Sequence, residues 1–168
     1  MDSSPQLSPG GAIGVGLFVG ALGIFVVLVG LGVVGELRPG DAPPWVVVCA
    51  GFVFVLGGLA VIVGWGVATG VTPDGDFAAG TPLGVRVAQA TLGFGISSLL
   101  AVIATWVAFG AGPREFTATG SLGGVTVSGA VGETNGRVVW GIAAVLMWVF
   151  TAVLTGVSVK RLRRARRV

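Results

Sequence analysis

Four long apolar runs divide the sequence, and shorter segments rich in glycine, proline or charge separate them. The runs cover residues 12–34, 45–68, 87–110 and 138–159. Each has about 20 residues or slightly more, the length at which an α-helix crosses a hydrocarbon core of roughly 30 Å. Because backbone groups in lipid must be hydrogen-bonded within their own segment, the pattern predicts four transmembrane helices rather than open strands.

Two other interpretations of these runs do not fit the pattern. The first run is longer than the apolar core of about 7–15 residues in a signal peptide, and the N-terminal leader 1–11 carries no positive charge. Strands of a membrane barrel alternate apolar and polar residues over about 10 positions. The runs here are apolar on every side, so we expect four retained helical spans.

The composition is typical of a protein whose solvent is lipid. Hydrophobic residues make up 54% of the chain and charged residues only 10%, whereas soluble domains carry roughly 25% charged residues. So few charges cannot cover the surface of a water-soluble fold. The chain has 168 residues, enough for one domain. The predicted fold class is therefore an all-α integral membrane protein, a single domain (1–168) built as a four-helix transmembrane bundle.

The basic character of the chain is confined to the tail 160–168, KRLRRARRV. Its cations are Lys160, Arg161, Arg163, Arg164, Arg166 and Arg167. The four other Lys and Arg residues stand against seven Asp and Glu, and four minus seven leaves a net charge of −3. Without aromatic residues for base stacking, the tail is a poor nucleic-acid site, and we expect no nucleic-acid partner. We expect the fourth helix to run on into the tail, so that its cations bind the headgroups of anionic membrane lipids.

The tail also predicts the orientation, because loops and tails rich in Lys and Arg stay on the cytoplasmic side. An even number of spans places both termini on one side of the membrane. Abundant Ala, Val and Gly, with Arg preferred over Lys, indicate a bacterium. The prediction is a multi-pass protein of the bacterial inner membrane with cytoplasmic N- and C-termini. Trp45, Trp106 and Trp140 fall at span ends on the predicted outer face, where amphipathic rings prefer to lie.

Small residues recur at helical spacing in every span. In span order, these stripes are Gly16, Gly20, Gly23 and Gly30; Ala50, Gly57 and Gly64; Ala90, Ser97, Ala101, Ala104 and Ala108; and Ala152 and Gly156. Small residues let membrane helices approach closely, so that dispersion and weak hydrogen bonds hold them together. The stripes predict packing among the four helices. The first stripe is alternatively an interface for a homo-oligomer.

The spans lack the side chains that most membrane chemistry requires. None of them contains Asp, Glu, Lys, Arg or His, and the chain has no His and a single cysteine, Cys49. A proton-coupled exporter of the small multidrug type needs a membrane-embedded carboxylate, and a quinone-linked disulfide oxidoreductase needs paired cysteines. Haem, zinc and Ser–His sites need His or several Cys. We therefore expect no catalytic residue, cofactor or metal ligand, and we do not expect an enzyme.

Three polar features remain as candidates for a site. Ser97 and Ser98 in the third span could line a solute path, although such hydroxyls mostly bond their own backbone. Asp74 and Asp76 flank a glycine in an inner loop, with too few oxygen ligands for calcium. The loop 111–137 contains two short β-branched stretches that could form a small extramembrane β-hairpin. This loop is either solvated chain or a docking surface for a partner.

The stretches WVAFGAGPREF and GAVGETNGRVVWGIAAVLMW resemble uncharacterised bacterial inner-membrane proteins with four predicted spans. The resemblance covers mainly the C-terminal half, and it implies location and span number without an activity. The sequence favours a non-enzymatic structural or accessory component of the inner membrane, with a membrane-protein partner or a homo-oligomer as its assembly. A small transporter or channel is the alternative. A lipid-directed enzyme that uses Glu115 and Glu133 ranks third.

Overall fold

The computed structural model describes residues 9–37, 42–67, 81–112, 116–122 and 125–165. Its elements are α1 (Pro9–Gly30), α2 (Pro44–Val61), α3 (Leu83–Phe109), β1 (Phe116–Leu122), β2 (Val125–Val131) and α4 (Glu133–Ala165). A π-helical segment, Ile62–Val67, extends α2. Four helices in this part of the chain are long and apolar enough to cross a membrane. The helical part of the predicted fold class is thereby confirmed.

Local sequence signals mark the starts of α2 and α3 and the end of α1. Pro44 occupies the first turn of α2 and Pro82 directly precedes α3, because the fixed φ of proline suits a helix start and its missing N–H needs no partner there. α1 ends at Gly30 rather than at residue 34. Gly32 has a φ of 72°, a left-handed conformation that glycine adopts readily and that leaves the helix.

All four helices begin before their predicted spans, and α3 and α4 extend furthest. α3 begins at Leu83 rather than at residue 87, and α4 covers Glu133–Ala165 rather than 138–159. At 1.5 Å per residue α4 is about 50 Å long, well beyond a hydrocarbon core of roughly 30 Å. Hydropathy marks only the part of a helix that lipid can surround, whereas the backbone hydrogen-bond ladder continues through the polar residues at either end.

The helices pack mainly on their neighbours along the chain, α1 on α2, α2 on α3 and α3 on α4. The α1–α2 and α3–α4 pairs are the most extensive, so the bundle consists of two helical hairpins joined through α2 and α3. Trp45 at the start of α2 meets Trp106 near the end of α3 edge to face, with ring centroids 5.9 Å apart and the rings inclined by 82°. This contact joins the two helical hairpins at the end of the bundle where the chain enters β1.

Burial is inverted relative to a water-soluble protein. The buried side chains are mostly small and are those of Ala12, Val46, Ser97, Ala101, Ala104, Ala108, Ala144 and Thr151. Large apolar side chains point outward instead, and Phe18, Phe109 and Leu146 are 72%, 71% and 63% exposed. Soluble monomers rarely expose large contiguous apolar patches. In a membrane such side chains face hydrocarbon rather than water, and their exposure is then favourable. The distribution therefore fits a multi-pass membrane protein.

β1 and β2 pair in a two-stranded antiparallel sheet between α3 and α4. The register runs without interruption from Phe116 opposite Val131 to Leu122 opposite Val125. Both strands lie inside the predicted loop 111–137. The position of this β-hairpin outside the membrane stays a prediction.

Candidate functional site

Glycines bring the backbones of α1 and α2 into direct contact. A Cβ atom added at Gly23 would lie 2.6 Å from the amide nitrogen of Val55 and 2.7 Å from the carbonyl oxygen of Gly51. A Cβ added at Gly58 would overlap the carbonyl oxygen of Gly16. Real Cβ atoms essentially never approach other atoms this closely. Only glycine therefore fits at these positions unless the helices move apart.

Three of the four glycines in the first predicted stripe present their side-chain position to α2. Gly16 and Gly30 contact α2 as Gly23 does, whereas a Cβ added at Gly20 would meet nothing within 4 Å. Seven-residue spacing keeps Gly16, Gly23 and Gly30 on one line of the helix, and Gly20 is turned away from that line. The backbone of Gly20 still lies beside Gly58, so Gly20 borders the interface without excluding a side chain there.

The contact stripe on α2 is offset by one residue from the predicted one. Gly51 and Gly58 lie against α1, whereas a Cβ added at Gly57 would meet nothing within 4 Å. Gly64 faces α3 instead, where a Cβ would lie 3.3 Å from Nε2 of Gln89. Both stripes repeat every seven residues, so the spacing alone could not choose between them. The partner helices determine which face of α2 is turned inward.

α3 and α4 meet along small side chains of a different kind. The buried members are Ser97, Ala101, Ala104 and Ala108 on α3, and Ala144 and Thr151 on α4. Ala90, in the same predicted stripe as Ser97, is half-buried. Ala152 is exposed, and a Cβ added at Gly156 would meet nothing within 4 Å. The predicted pair on α4 therefore does not pack against another helix in this fold.

Side-chain hydrogen bonds cross the interface between α3 and α4. Nε1 of Trp148 donates to Oγ1 of Thr105 at 3.1 Å, and Thr105 in turn donates to the carbonyl oxygen of Ala101 at 2.7 Å. Thr151 and Thr155 donate to carbonyl oxygens four residues earlier, each at 2.8 Å. Hydroxyls in membrane helices commonly make such bonds to their own backbone. Trp148 adds a polar link between the two helices within the apolar span.

The two serines considered for a solute path have different surroundings. Ser97 is buried and donates to the carbonyl oxygen of Phe94 at 3.1 Å. Oγ of Ser98 is buried without a hydrogen-bond partner among the described residues. Ser98 lies three positions after Gly95, where an added Cβ would lie 3.0 Å from Leu56 of α2, so Ser98 is on the α2 side of α3. An unpaired buried hydroxyl costs about 1–3 kcal/mol.

Arg137 joins the end of α3 to the first turn of α4. Its guanidinium donates to the carbonyl oxygens of Ala108, Gly110 and Gly112 at 3.5, 2.9 and 2.7 Å. Its Nε and Nη2 atoms lie 2.9 and 2.8 Å from Oε1 of Glu133. Four of these contacts are hydrogen bonds and the contact of Nη2 with Glu133 is an ion pair, so most of the five N–H donors of the guanidinium are directed at protein oxygens. The positive charge also lies at the negative end of the α3 dipole.

The same turn of α4 holds the base of the β-hairpin. Gly136 is buried, and a Cβ added there would overlap the ring of Phe116 at the start of β1. The other end of the β-hairpin, Val131, is two residues before α4 begins. Four residues, Phe116, Glu133, Gly136 and Arg137, thus fasten the β-hairpin to the junction of α3 and α4. We call them the hairpin anchor.

An open groove of about 580 Å³ lies beside the hairpin anchor. Phe109, Val138, Ile142 and Leu146 line most of it, with Arg137 at its edge. Arg137 already makes four hydrogen bonds and an ion pair with protein oxygens, so its charge is largely paired within the protein. The groove therefore provides mainly apolar contact.

The basic tail continues α4 as a helix. The helix includes Lys160, Arg161, Arg163 and Arg164 and ends at Ala165. The expectation that the fourth helix runs on beyond residue 159 is thereby confirmed. The charged residues that lie outside the described part of the chain include Asp74, Asp76, Arg114, Glu115, Arg166 and Arg167.

Three parts of this arrangement lie outside the sequence-based predictions. Gly51 and Gly58 are not in the predicted stripe of α2, although they have the same seven-residue spacing. Arg137 falls within the predicted loop 111–137, although Glu133 four residues earlier is at the spacing of a helical ion pair. Gly136 carries no local signal, because nothing in the neighbouring sequence indicates that an aromatic ring lies on it.

The described residues contain no group of three or more His, Cys, Asp or Glu side chains that could hold a metal ion. Cys49 is a half-buried free thiol. No family model, curated protein or solved structure matches this chain. Its function is therefore inferred from its own residues.

Proposed function

We propose that this chain is a non-enzymatic, multi-pass protein of the bacterial inner membrane with a structural or accessory role. The observation that carries the proposal is the set of four hydrogen bonds and one ion pair by which Arg137 joins α3 to the first turn of α4. A charge paired in this way stabilises architecture, because most of its donors are directed at protein oxygens rather than toward a substrate. The small buried side chains and large exposed ones support the membrane-spanning part of the proposal.

The proposed orientation places both termini in the cytoplasm and the β-hairpin outside. The helical tail with Lys160, Arg161, Arg163 and Arg164 supports it, because cations at a helix end favour the cytoplasmic side and bind anionic lipid headgroups. A reporter fused to the C-terminus should be active in the cytoplasm. Neutralising the tail cations should give mixed or inverted insertion. A periplasmic C-terminus in the native protein would mean that the proposed orientation is reversed.

The accessory role consists in presenting the β-hairpin to a membrane-protein partner or to another copy of the chain. The hairpin anchor supports this role, since a surface fixed to rigid elements binds with less loss of conformational freedom than a mobile loop. Purification in mild detergent after crosslinking in cells tests it. Specific co-purification that is lost with Arg137→Met would support the role. A lone monomer that conducts solutes in liposomes would exclude it.

A small transporter or channel is the second candidate, and Ser98 is the observation that favours it. Its unpaired hydroxyl lies on the α2 side of α3, where a solute or water passing between the helices would satisfy it. Flux into liposomes is the measurement, with Ser98→Ala compared with Ser97→Ala. Loss of flux with the first variant alone would favour transport. The absence of any flux in the native protein would remove this candidate.

A further inference from the structure

The groove beside the hairpin anchor is formed by small residues between larger ones. Ala108 is buried, and a Cβ added at Gly141 would lie 3.6 Å from the ring of Phe109 and 3.9 Å from Ala108. The exposed apolar side chains that border the groove are Phe109 on α3 and Val138, Ile142, Val145 and Leu146 on α4. Because Gly141 has no side chain, it leaves the room that the groove occupies between α3 and α4.

The apolar part of the groove is nearly as long as one leaflet of a membrane is deep. Its lining on α4 extends from Val138 to Leu146, about 12 Å at 1.5 Å per residue. Half of a hydrocarbon core of roughly 30 Å is about 15 Å. Leu146 lies at the middle of the membrane-length segment Glu133–Lys160. The groove therefore runs from one surface of the membrane toward its centre, which is the path of an acyl chain.

The other end of the groove is polar and presents charges of both signs. Thr134 and Arg137 line it, and Glu133 is paired with Arg137. The side chain of Glu133 is 43% exposed and both of its contacts use Oε1, so Oε2 can accept from an ammonium group. The contact of Arg137 with the carbonyl oxygen of Ala108 is its longest, at 3.5 Å. That donor is the one most easily given to a phosphate oxygen.

The balance of charge at this polar end distinguishes among lipids. Arg137 and Glu133 offset each other, so a purely anionic headgroup gains little from the pair. A headgroup with both a phosphate and an ammonium group can meet each charge with its opposite. An apolar segment of a partner protein would cover the groove but leave the exposed carboxylate of Glu133 unmatched. The cations at the far end of α4 favour anionic lipid instead.

We propose that the groove binds one zwitterionic phospholipid, with an acyl chain along Phe109 and Ile142 and the headgroup at Glu133 and Arg137. This inference rests on the proposed multi-pass function, because acyl chains reach the groove only if α3 and α4 span a membrane. It also deepens that function. The bound lipid becomes part of the surface that the chain presents beside the hairpin anchor.

Native mass spectrometry of the full chain measures the bound lipid. The protein is reconstituted with equal amounts of phosphatidylethanolamine and phosphatidylglycerol and released into mild detergent. Gly141→Leu fills the groove. Gly156→Leu is the matched control, because it adds the same side chain to the same helix where a Cβ would meet nothing within 4 Å. Glu133→Gln removes the charge that pairs with the ammonium group and leaves the apolar lining intact.

We expect one phosphatidylethanolamine per chain in the native protein and in Gly156→Leu, and several-fold lower occupancy in Gly141→Leu. Absence of bound lipid from the native protein, or equal occupancy in the two leucine variants, would overturn the inference. A dimer that only Gly141→Leu dissociates would also overturn it, because a second copy would then occupy the groove. Circular dichroism checks that the variants remain helical.

Glu133→Gln tests the headgroup without placing any bulk in the groove, so the inference stays testable even if Gly141→Leu fails to fold. The preference for phosphatidylethanolamine over phosphatidylglycerol should fall several-fold. The tail cations bind anionic lipid in every variant alike, so a difference between variants reports the groove. An unchanged preference would contradict the assigned headgroup site.

Alkaline carbonate extraction of cell membranes separates the lipid site from the function on which it rests. A chain that stays in the membrane pellet and yet carries no lipid rejects only the lipid site. A chain released into the supernatant rejects the membrane-spanning function itself.

Discussion

The two helical hairpins of the bundle are held together by different means. α1 and α2 touch backbone to backbone through Gly16, Gly23, Gly51 and Gly58, and side chains of the facing helix pack beside three of these contacts. α3 and α4 meet through alanines and are linked by polar groups, Trp148 to Thr105 within the span and Arg137 at its end. The interface between α1 and α2 requires residues without a Cβ atom. The interface between α3 and α4 depends on side chains that hydrogen-bond to one another or to the backbone.

This difference predicts different responses to mutation. Steric exclusion by backbone is abrupt, since a helix backbone cannot rotate away as a side chain can. A hydrogen-bonded interface loses stability in smaller steps, because each bond contributes separately and alternatives are often nearby. The glycine interface should therefore be the more sensitive of the two to the smallest possible substitution.

The largest effect is expected for Gly58→Ala, which places a methyl group on the carbonyl oxygen of Gly16. We expect a loss of about 3 kcal/mol in the free energy of unfolding, the upper part of the usual range for overpacking. Denaturation in mixed detergent micelles, followed by circular dichroism, is the measurement. Gly57→Ala is the matched control, since its methyl group meets open space and alanine favours helix by about 1 kcal/mol. Equal destabilisation by both variants would contradict the assigned interface.

Arg137→Met should have the next largest effect, about 2 kcal/mol, because hydrogen bonds to charged groups contribute roughly 1.5–3 kcal/mol and this side chain is partly exposed. Three carbonyl oxygens and Glu133 would lose their common donor. Hydrogen exchange of the β1 and β2 amides should rise together with the loss of stability. Arg137→Lys should recover only part of both, since an ammonium lacks the planar fork of donors. Full recovery with lysine would show that charge alone matters at the hairpin anchor.

Gly136→Ala should cost about 1 kcal/mol, the lower end of the overpacking range. Its methyl group meets the ring of Phe116, a side chain that can move, rather than a helix backbone. The effect should be concentrated in faster hydrogen exchange of β1. On the same helix Gly141→Ala is the control, because a Cβ there would lie 3.6 Å from Phe109, an ordinary contact. Unchanged exchange in β1 would argue against the contact between Phe116 and Gly136.

The smallest effect is expected for Trp148→Phe, which keeps the aromatic bulk and removes the indole donor to Thr105. A hydrogen bond between membrane helices contributes about 0.6 kcal/mol on average. A double-mutant cycle with Thr105→Val should give a coupling energy of that size. Trp140→Phe should show no coupling to Thr105→Val. Coupling of similar size for both tryptophans would mean that the cycle reports general packing rather than this bond.

The sequence predicted the helices well and their contacts poorly. Each span could be predicted because every residue in lipid must be apolar or hydrogen-bonded within its own segment, so the sequence of that segment alone carries the signal. The two adjacent glycines Gly57 and Gly58 show the limit. Either could belong to a seven-residue stripe, and only the approach of α1 shows that Gly58 is the contact. The partners of Arg137 illustrate the same limit, since Ala108, Gly110 and Gly112 precede it by 25 to 29 residues.

Hydropathy and composition by themselves determined four helices, their approximate extents and the charged tail, because these depend on local transfer energies. The tertiary structure decided which glycines exclude side chains, which carbonyls Arg137 binds, and that Ser98 lacks a partner while Ser97 has one. Those properties depend on the rotation of each helix about its axis. That rotation is settled only when another helix packs against it, since no single segment carries enough information to orient itself.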